Sequence, residues 1–75
     1  MFLYMPLKEH LSHPNLGNYI SYGIRVRLVR KAYCKDIVFV SDISTDPKFI
    51  SHISILFTRE QLDPIHLPDV LEDLL

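Results

Sequence analysis

The fourteen residues from Asn18 to Lys31, NYISYGIRVRLVRK, decide the fold that the sequence predicts. Apolar side chains occupy every second position, and polar or small side chains fill the positions between them. A period of two is typical of a β-strand with one buried and one exposed face. A glycine in the middle of such a strand predicts a bulge or a close neighbour above it. The buried set is Ile20, Tyr22, Ile24, Val26 and Leu28, and the opposite set is Ser21, Gly23, Arg25 and Arg27.

A second β-rich run, DIVFVSDI from Asp36 to Ile43, follows a polar interval. The two runs predict a hairpin, with Lys31 to Lys35 as its loop. Because the residues from Ile37 to Val40 are all apolar, both faces of this strand need cover, as in a central strand. The residues from Phe2 to Met5 are a candidate third strand, pairing with either run.

The pattern becomes helical after the second run. Asp46 followed by Pro47 is a typical helix start, because the carboxylate caps backbone N–H groups and proline has none to leave unpaired. The following residues predict an amphipathic helix with its apolar side on the sheet. Ile55 falls on the polar side, where burial within a monomer is difficult. The apolar stripe is Phe49, Ile50, Ile53, Leu56 and Phe57, and the polar side includes Lys48, Ser51, His52, Ser54 and Arg59.

The last segment, DPIHLPDVLEDLL from Asp63 to Leu75, predicts a second helix. Thr58 and Gln61, just before it, have the spacing of a capping box. Asp63-Pro64 and Leu67-Pro68 are both helix-start patterns, so one turn at Pro64 is expected to lead into the helix. Its apolar side is Leu67, Val70, Leu71, Leu74 and Leu75.

His66, Asp69 and Asp73 share the polar side of this helix. They form a candidate metal site, but zinc prefers three or four ligands that usually include further His or Cys. The remaining histidines and Cys34 have no ligand spacing with them. We therefore predict a solvated acidic face with His66 capping or pairing with Asp69, and neither a metal nor a cofactor.

Length and composition predict one small α+β domain over residues 1–75. It comprises an N-terminal segment (1–17), a β-hairpin (18–43) and two helices on one face of the sheet (46–75).

A single cysteine and the lack of an 18-residue apolar run predict a cytoplasmic protein outside the membrane. The chain is 48% hydrophobic with a net charge of −1. A core of this size contributes only about 3–5 kcal/mol, so self-association is expected.

The sequence predicts no enzymatic activity, and it offers two kinds of binding surface. Two glycines cannot build a phosphate-binding loop, and no serine or cysteine has a catalytic sequence context. Association with a protein, as a homodimer or as a small regulatory binder, is favoured by the exposed position of Ile55, the doubly apolar strand around Val38 and Val40, and the charge distribution. Residues 1–35 carry six basic and one acidic side chain, whereas residues 36–75 carry two basic and eight acidic ones.

The alternative is nucleic-acid binding by the basic face of the hairpin. Arg25 and Arg27, continuing to Arg30, Lys31 and Lys35, could follow a phosphate backbone. A nearly neutral net charge argues against this function. It predicts retardation of DNA or RNA probes that weakens steeply with salt and is lost when Arg25 and Arg27 are neutralised.

Three stretches carry a resemblance to a known family: YISYGI at 19–24, SDIST at 41–45 and QLDPIHLPDVLEDLL at 61–75. In this order they resemble a family of short uncharacterised proteins from Gram-positive anaerobes such as clostridia, from about Tyr19 to the end. The resemblance implies a bacterial cytoplasmic setting and supplies no catalytic residues. Pro68 departs from the family pattern, which leaves open whether the last helix runs unbroken from Asp63.

Overall fold

The computed structural model describes all 75 residues and has three strands followed by two helices. The strands form one antiparallel sheet in the order β1-β2-β3, which confirms the α+β class and the third strand. Neither α-helix is long and apolar enough to cross a membrane. The elements are β1 (Phe2–His13), β2 (Gly17–Arg30), β3 (Tyr33–Ser44), α1 (Pro47–Arg59), a 3₁₀ turn (Pro64–His66) and α2 (Leu67–Leu74).

The central strand is β2, so the prediction of a central second run is wrong. β3 pairs only with β2, and its other edge has no partner strand. The polar interval between these strands is also shorter than predicted, because Arg30 already pairs with Tyr33. The pairing of β2 with β3 stops at Tyr22 and Ser44. Beyond that point residues 9–13 and 17–21 continue as a two-stranded arm, which leaves Ile20 exposed instead of buried.

β1 is much longer than the predicted Phe2 to Met5. Proline has no N–H for a sheet ladder, so Pro6 argues against a strand in the sequence. Antiparallel ladders bond alternate residues to the neighbouring strand. Phe2 and Tyr4 direct their backbone groups away from β2, toward side chains of the helical segment. Pro6 shares this alternation, so its backbone nitrogen faces the outer edge of β1. The missing N–H therefore removes no hydrogen bond between β1 and β2.

Side chains at and just after the end of α1 close the first part of the outer edge of β1. The Tyr4 N–H donates to Thr58 Oγ1 over 2.9 Å, and that hydroxyl donates to the Tyr4 carbonyl oxygen over 3.3 Å. The Gln61 side chain accepts from the Phe2 N–H (2.9 Å) and donates to the Phe2 carbonyl oxygen (3.0 Å). Thr58 and Gln61 therefore act as a substitute strand and do not form the predicted capping box.

Substituting Thr58 with valine tests this edge. The change keeps the shape of the side chain but leaves the backbone groups of Tyr4 without their partner, so we expect a loss of about 1–2 kcal/mol. Urea unfolding would measure it. The matched control is Thr45→Val, in the exposed loop before α1, which should have a wild-type midpoint. Equal midpoints for the two variants would show that Thr58 does not secure β1.

The core lies between the sheet and the two helices. Asp46 caps α1 as predicted, because its Oδ1 accepts from the Lys48 N–H over 2.9 Å. The predicted apolar stripe of α1 packs on the sheet, but Ser54 is also buried, contrary to prediction. It lies four residues after Ile50 and three before Phe57, which places it on the same side of the helix. The buried apolar cluster is Tyr4, Ile24, Val26, Ile50, Ile53, Phe57, Leu67 and Leu71.

The final segment begins twice, as its two prolines predict. Asp63 Oδ1 accepts from the Ile65 N–H (3.1 Å) and starts the 3₁₀ turn, and α2 follows from Leu67. His66 is exposed and its side chain makes no capping hydrogen bond, so the predicted capping role is wrong. Leu67 and Leu71 fix α2 to the core, whereas Leu74 and Leu75 extend past it into solvent.

Candidate interaction surface

One face of the sheet is covered by the helices, and the other is not. Successive side chains of a strand point to opposite faces. Since Tyr4, Ile24 and Val26 lie in the core, the intervening residues lie on the opposite face, which we call the open face. It carries a row of apolar side chains on β1 together with polar residues on β2 and β3. The open face comprises Leu3, Met5, Leu7, Glu9 and Leu11 on β1, Tyr19, Ser21, Gly23, Arg25 and Arg27 on β2, and Asp36 and Phe39 on β3.

The apolar run of β3 divides between the two faces. Val38 and Val40 pair with Val26 and Ile24, and they pack against the core. Their predicted role in an interaction remains untested, but these side chains already have a packing role within the chain. Phe39 points to the open face and is 49% exposed. Ile37 sits at a break in the register and is 39% exposed, so the accessible apolar groups of β3 are not the predicted ones.

Arg25 and Arg27 lie together on the open face, where they share one carboxylate. Arg27 Nε is 2.8 Å from Asp36 Oδ1, and Arg25 Nη1 is 3.8 Å from Asp36 Oδ2. The hydrogen bond between Arg27 and Asp36 raises the pKa of Arg27 and lowers the pKa of Asp36. The Nε of Arg25 is buried without an acceptor. Two cations against one anion leave this end of the open face positive.

The predicted basic stripe does not stay on one face. Alternation along β2 places Arg30 on the same side as Leu28, which is the helix side of the sheet. Lys35 pairs with Leu28 and shares that side. Arg25 and Arg27 are therefore separated by the sheet from two of the basic residues with which they were grouped.

A network of side chains crosses all three strands at the other end of the open face. Glu9 reaches from β1 to β3, where it accepts from Ser41 Oγ (2.7 Å) and from the Asp42 N–H (2.8 Å). Asp42 in turn accepts from Ser21 Oγ (2.6 Å) and from the Tyr19 hydroxyl (2.9 Å). These two hydrogen bonds lower the pKa of Asp42. All the donors are neutral, so two negative charges remain at this end.

Gly23 allows this network to form. A Cβ atom at this position would overlap the carbonyl oxygen of Val40 and lie 3.2 Å from both Glu9 Oε2 and Phe39 Cε1. The register of β3 also shifts here, between the pairs of Tyr22 and Ile24. The bulge and the close neighbour predicted for Gly23 are therefore both present.

Two further candidates lie away from the open face. Ile55 is 67% exposed on α1, as predicted from its position among polar residues. It lies on the helix layer, so Ile55 and Phe39 belong to different surfaces. No group of three or more His, Cys, Asp or Glu side chains is arranged to hold a metal ion.

Sequence reasoning missed the main features of this surface. Leu7 and Leu11 belong to the part of β1 that was not predicted as a strand, so their alignment with Leu3 and Met5 was not recognised. The network partners Glu9 and Asp42 are 33 residues apart in the chain. The signal that could have located the network is Gly23, whose missing side chain indicated that another group crosses this part of the sheet.

The fold defines a class of small α+β proteins in which a three-stranded antiparallel sheet carries two helices on one face. Within that class the chain belongs to a family described as "Family of unknown function (DUF6514)", whose profile matches residues 2–75. The match confirms that the chain belongs to an uncharacterised family and extends the resemblance from Tyr19 back to Phe2. The clostridial setting stays a prediction. No curated protein and no solved structure gives a significant match.

Proposed function

We propose that this protein is a non-enzymatic interaction module that self-associates through the open face of its sheet. The observation that carries the proposal is the single covered face: apolar side chains on β1 and β3 lie opposite the helices with no second layer above them. Sheets with apolar residues on both faces normally have cover on both. A second copy of the chain would supply the missing layer.

The small interior of the monomer supports the proposal. Only 11 of 75 residues are buried, including eight apolar ones. Proteins of this size often gain stability by oligomerisation, because a single small core contributes little. Burying the apolar side chains of the open face would contribute about 25 cal/mol for each Å² removed from water.

The open face has dimensions suitable for a dimer interface. The molecule is 45 Å long and at least 20 Å wide. The area of a face with these two side lengths is comparable with the roughly 800 Å² that each partner contributes to a standard interface. The near-neutral charge of −1 also means that two copies do not strongly repel one another.

Light scattering of the whole chain tests this proposal. We expect a mass of twice 8.8 kDa for the wild type and a shift to the monomer mass for Phe39→Glu, because a buried unpaired charge opposes association. Ile55→Glu is the matched control, since it adds the same charge at an exposed apolar residue on the helix layer. A monomeric wild type would refute self-association. A dimer that only Ile55→Glu disrupts would move the interface to α1.

Nucleic-acid binding receives less support from this geometry. Asp36 partly neutralises Arg25 and Arg27, and the sheet separates them from Arg30 and Lys35. A phosphate backbone following one face would therefore meet two arginines and their carboxylate partner. The probe-retardation experiment described above distinguishes this alternative from self-association.

A further inference from the structure

Charges of opposite sign lie at equal distances from the middle of the open face. Met5 pairs with Arg25, Leu7 with Gly23, and Glu9 with Ser21. The positive row and the negative row therefore flank the Leu7–Gly23 row, each one step of two residues away, or about 7 Å along the strands. A surface with this arrangement is complementary to itself after a half-turn about its central row.

We propose that two copies dock through their open faces with antiparallel strands, about a twofold axis at the Leu7–Gly23 row, so that Arg25 of each copy meets Glu9 of the other. This inference rests on the proposed function and specifies its geometry. This axis runs across the strands, between the two facing sheets. It therefore places β1 of one copy over β1 of the other, with the two strands running in opposite directions. The interface is isologous, so every contact occurs twice.

The charged groups on each side lack full partners within their own chain. Arg25 is 3.8 Å from an Asp36 carboxylate that it shares with Arg27. Glu9 and Asp42 accept hydrogen bonds only from neutral groups and form no ion pair. Bringing Arg25 over Glu9 of the other copy would pair charges that the monomer leaves uncompensated, which fixes both the register and the choice of a second copy as the partner.

The apolar residues of β1 follow the same symmetry. A half-turn about the Leu7–Gly23 row places Leu7 near Leu7 of the other copy and Leu3 near Leu11. Leu11 lies on the two-stranded arm beyond the end of β3. An isolated two-stranded ribbon is only marginally stable in water. In this arrangement the arm of each copy packs over the first residues of β1 in the other, which gives the ribbon a supporting surface.

Charge reversal tests the contact directly. Arg25→Glu alone and Glu9→Arg alone each place like charges together in a homodimer, so we expect light scattering to show at least a tenfold weaker association. An equimolar mixture of the two variants restores both attractive contacts and should give the dimer mass. A mixture that stays monomeric, or single variants that dimerise like the wild type, would overturn the proposed contact.

A second test does not depend on Glu9→Arg remaining folded. In a Cys34→Ser background, Leu7→Cys should be cross-linked efficiently by a short bifunctional maleimide, because facing sheets pack about 10 Å apart. Leu3→Cys, on the same face, should not cross-link to itself, since antiparallel copies hold these positions about 27 Å apart. Equal yields for both variants, or a higher yield for Leu3→Cys, would refute the arrangement. Dimeric wild type without Leu7 cross-linking would refute this register but not self-association, whereas monomeric wild type would refute both.

Discussion

Replacing Gly23 with alanine is expected to leave a large part of the protein unfolded at 25 °C. The added methyl group would overlap the backbone carbonyl oxygen of Val40, which a side-chain rotation cannot move away. Relief requires β3 to shift, and Glu9 would then lose its hydrogen bonds to Ser41 and Asp42. Overpacking typically costs about 1–3 kcal/mol and occasionally more, and we expect an overlap with a backbone atom to lie at the upper end of this range. That cost is comparable with the whole stability of a small domain, at about 3–5 kcal/mol.

The chain contains its own control for this experiment. Gly17 is the only other glycine and has φ of +73°, and a methyl group added to it would have no neighbouring atom within 4 Å. Gly17→Ala should therefore lose only the preference of glycine for a left-handed backbone, about 1 kcal/mol. Urea unfolding followed by circular dichroism, at one fixed protein concentration, measures both variants. Similar midpoints for the two would contradict the close packing above Gly23.

The second large effect is expected at alkaline pH and originates at Tyr4. This side chain is buried in the core, its hydroxyl donates to the Leu62 carbonyl oxygen over 2.5 Å, and its ring meets Phe57 edge to face. Burial raises the pKa of Tyr4 from 10.0 to about 12, and the nearby charge of Asp63 acts in the same direction. The folded chain thus retains a proton that the unfolded chain releases at lower pH.

The sign of the pH effect follows from this difference. Below pH 10 both the folded and the unfolded state hold the Tyr4 proton, and the contribution of this group to stability is fully present. Between pH 10 and 12 only the unfolded state releases the proton. Stability should therefore fall across this range by up to about 2.7 kcal/mol for a shift of two pH units.

Tyr4→Phe isolates the contribution of this hydroxyl. At neutral pH the variant should lose about 1–2 kcal/mol, because the Leu62 carbonyl loses its donor. Between pH 10 and 12 its stability should fall less than that of the wild type. Tyr33→Phe, at an exposed position, serves as the control and should follow the wild-type pH profile. Parallel profiles for wild type and Tyr4→Phe would contradict the assigned role of Tyr4.

Local patterns in the sequence were sufficient for the elements that one strong signal defines. Alternation from Asn18 onward identified β2 and its core residues Ile24 and Val26. Asp46 with Pro47 located the start of α1, and Gly23 indicated a bulge. Each of these signals acts within a few residues, because capping and alternation depend on the local backbone.

Features that depend on distant pairing could not be predicted in the same way. Pro6 is compatible with β1 only because its position faces an outer edge, and the sequence does not state which edge is outer. The direction of each β3 side chain depends on its pairing with β2, which places Val38 and Val40 against the core and leaves Phe39 exposed, with Ile37 exposed at a break in the register. The shared use of Asp36 by Arg25 and Arg27 likewise depends on a register set by these bulges.

The closure of the β1 edge has a consequence for how the chain is synthesised. Phe2 and Tyr4 bond to Gln61 and Thr58, which are 59 and 54 residues later in the chain. During translation β1 therefore leaves the ribosome well before Thr58 and Gln61 have been made. The nascent protein presents the open edge of this strand until residues 58–61 emerge, and only then can that edge be protected.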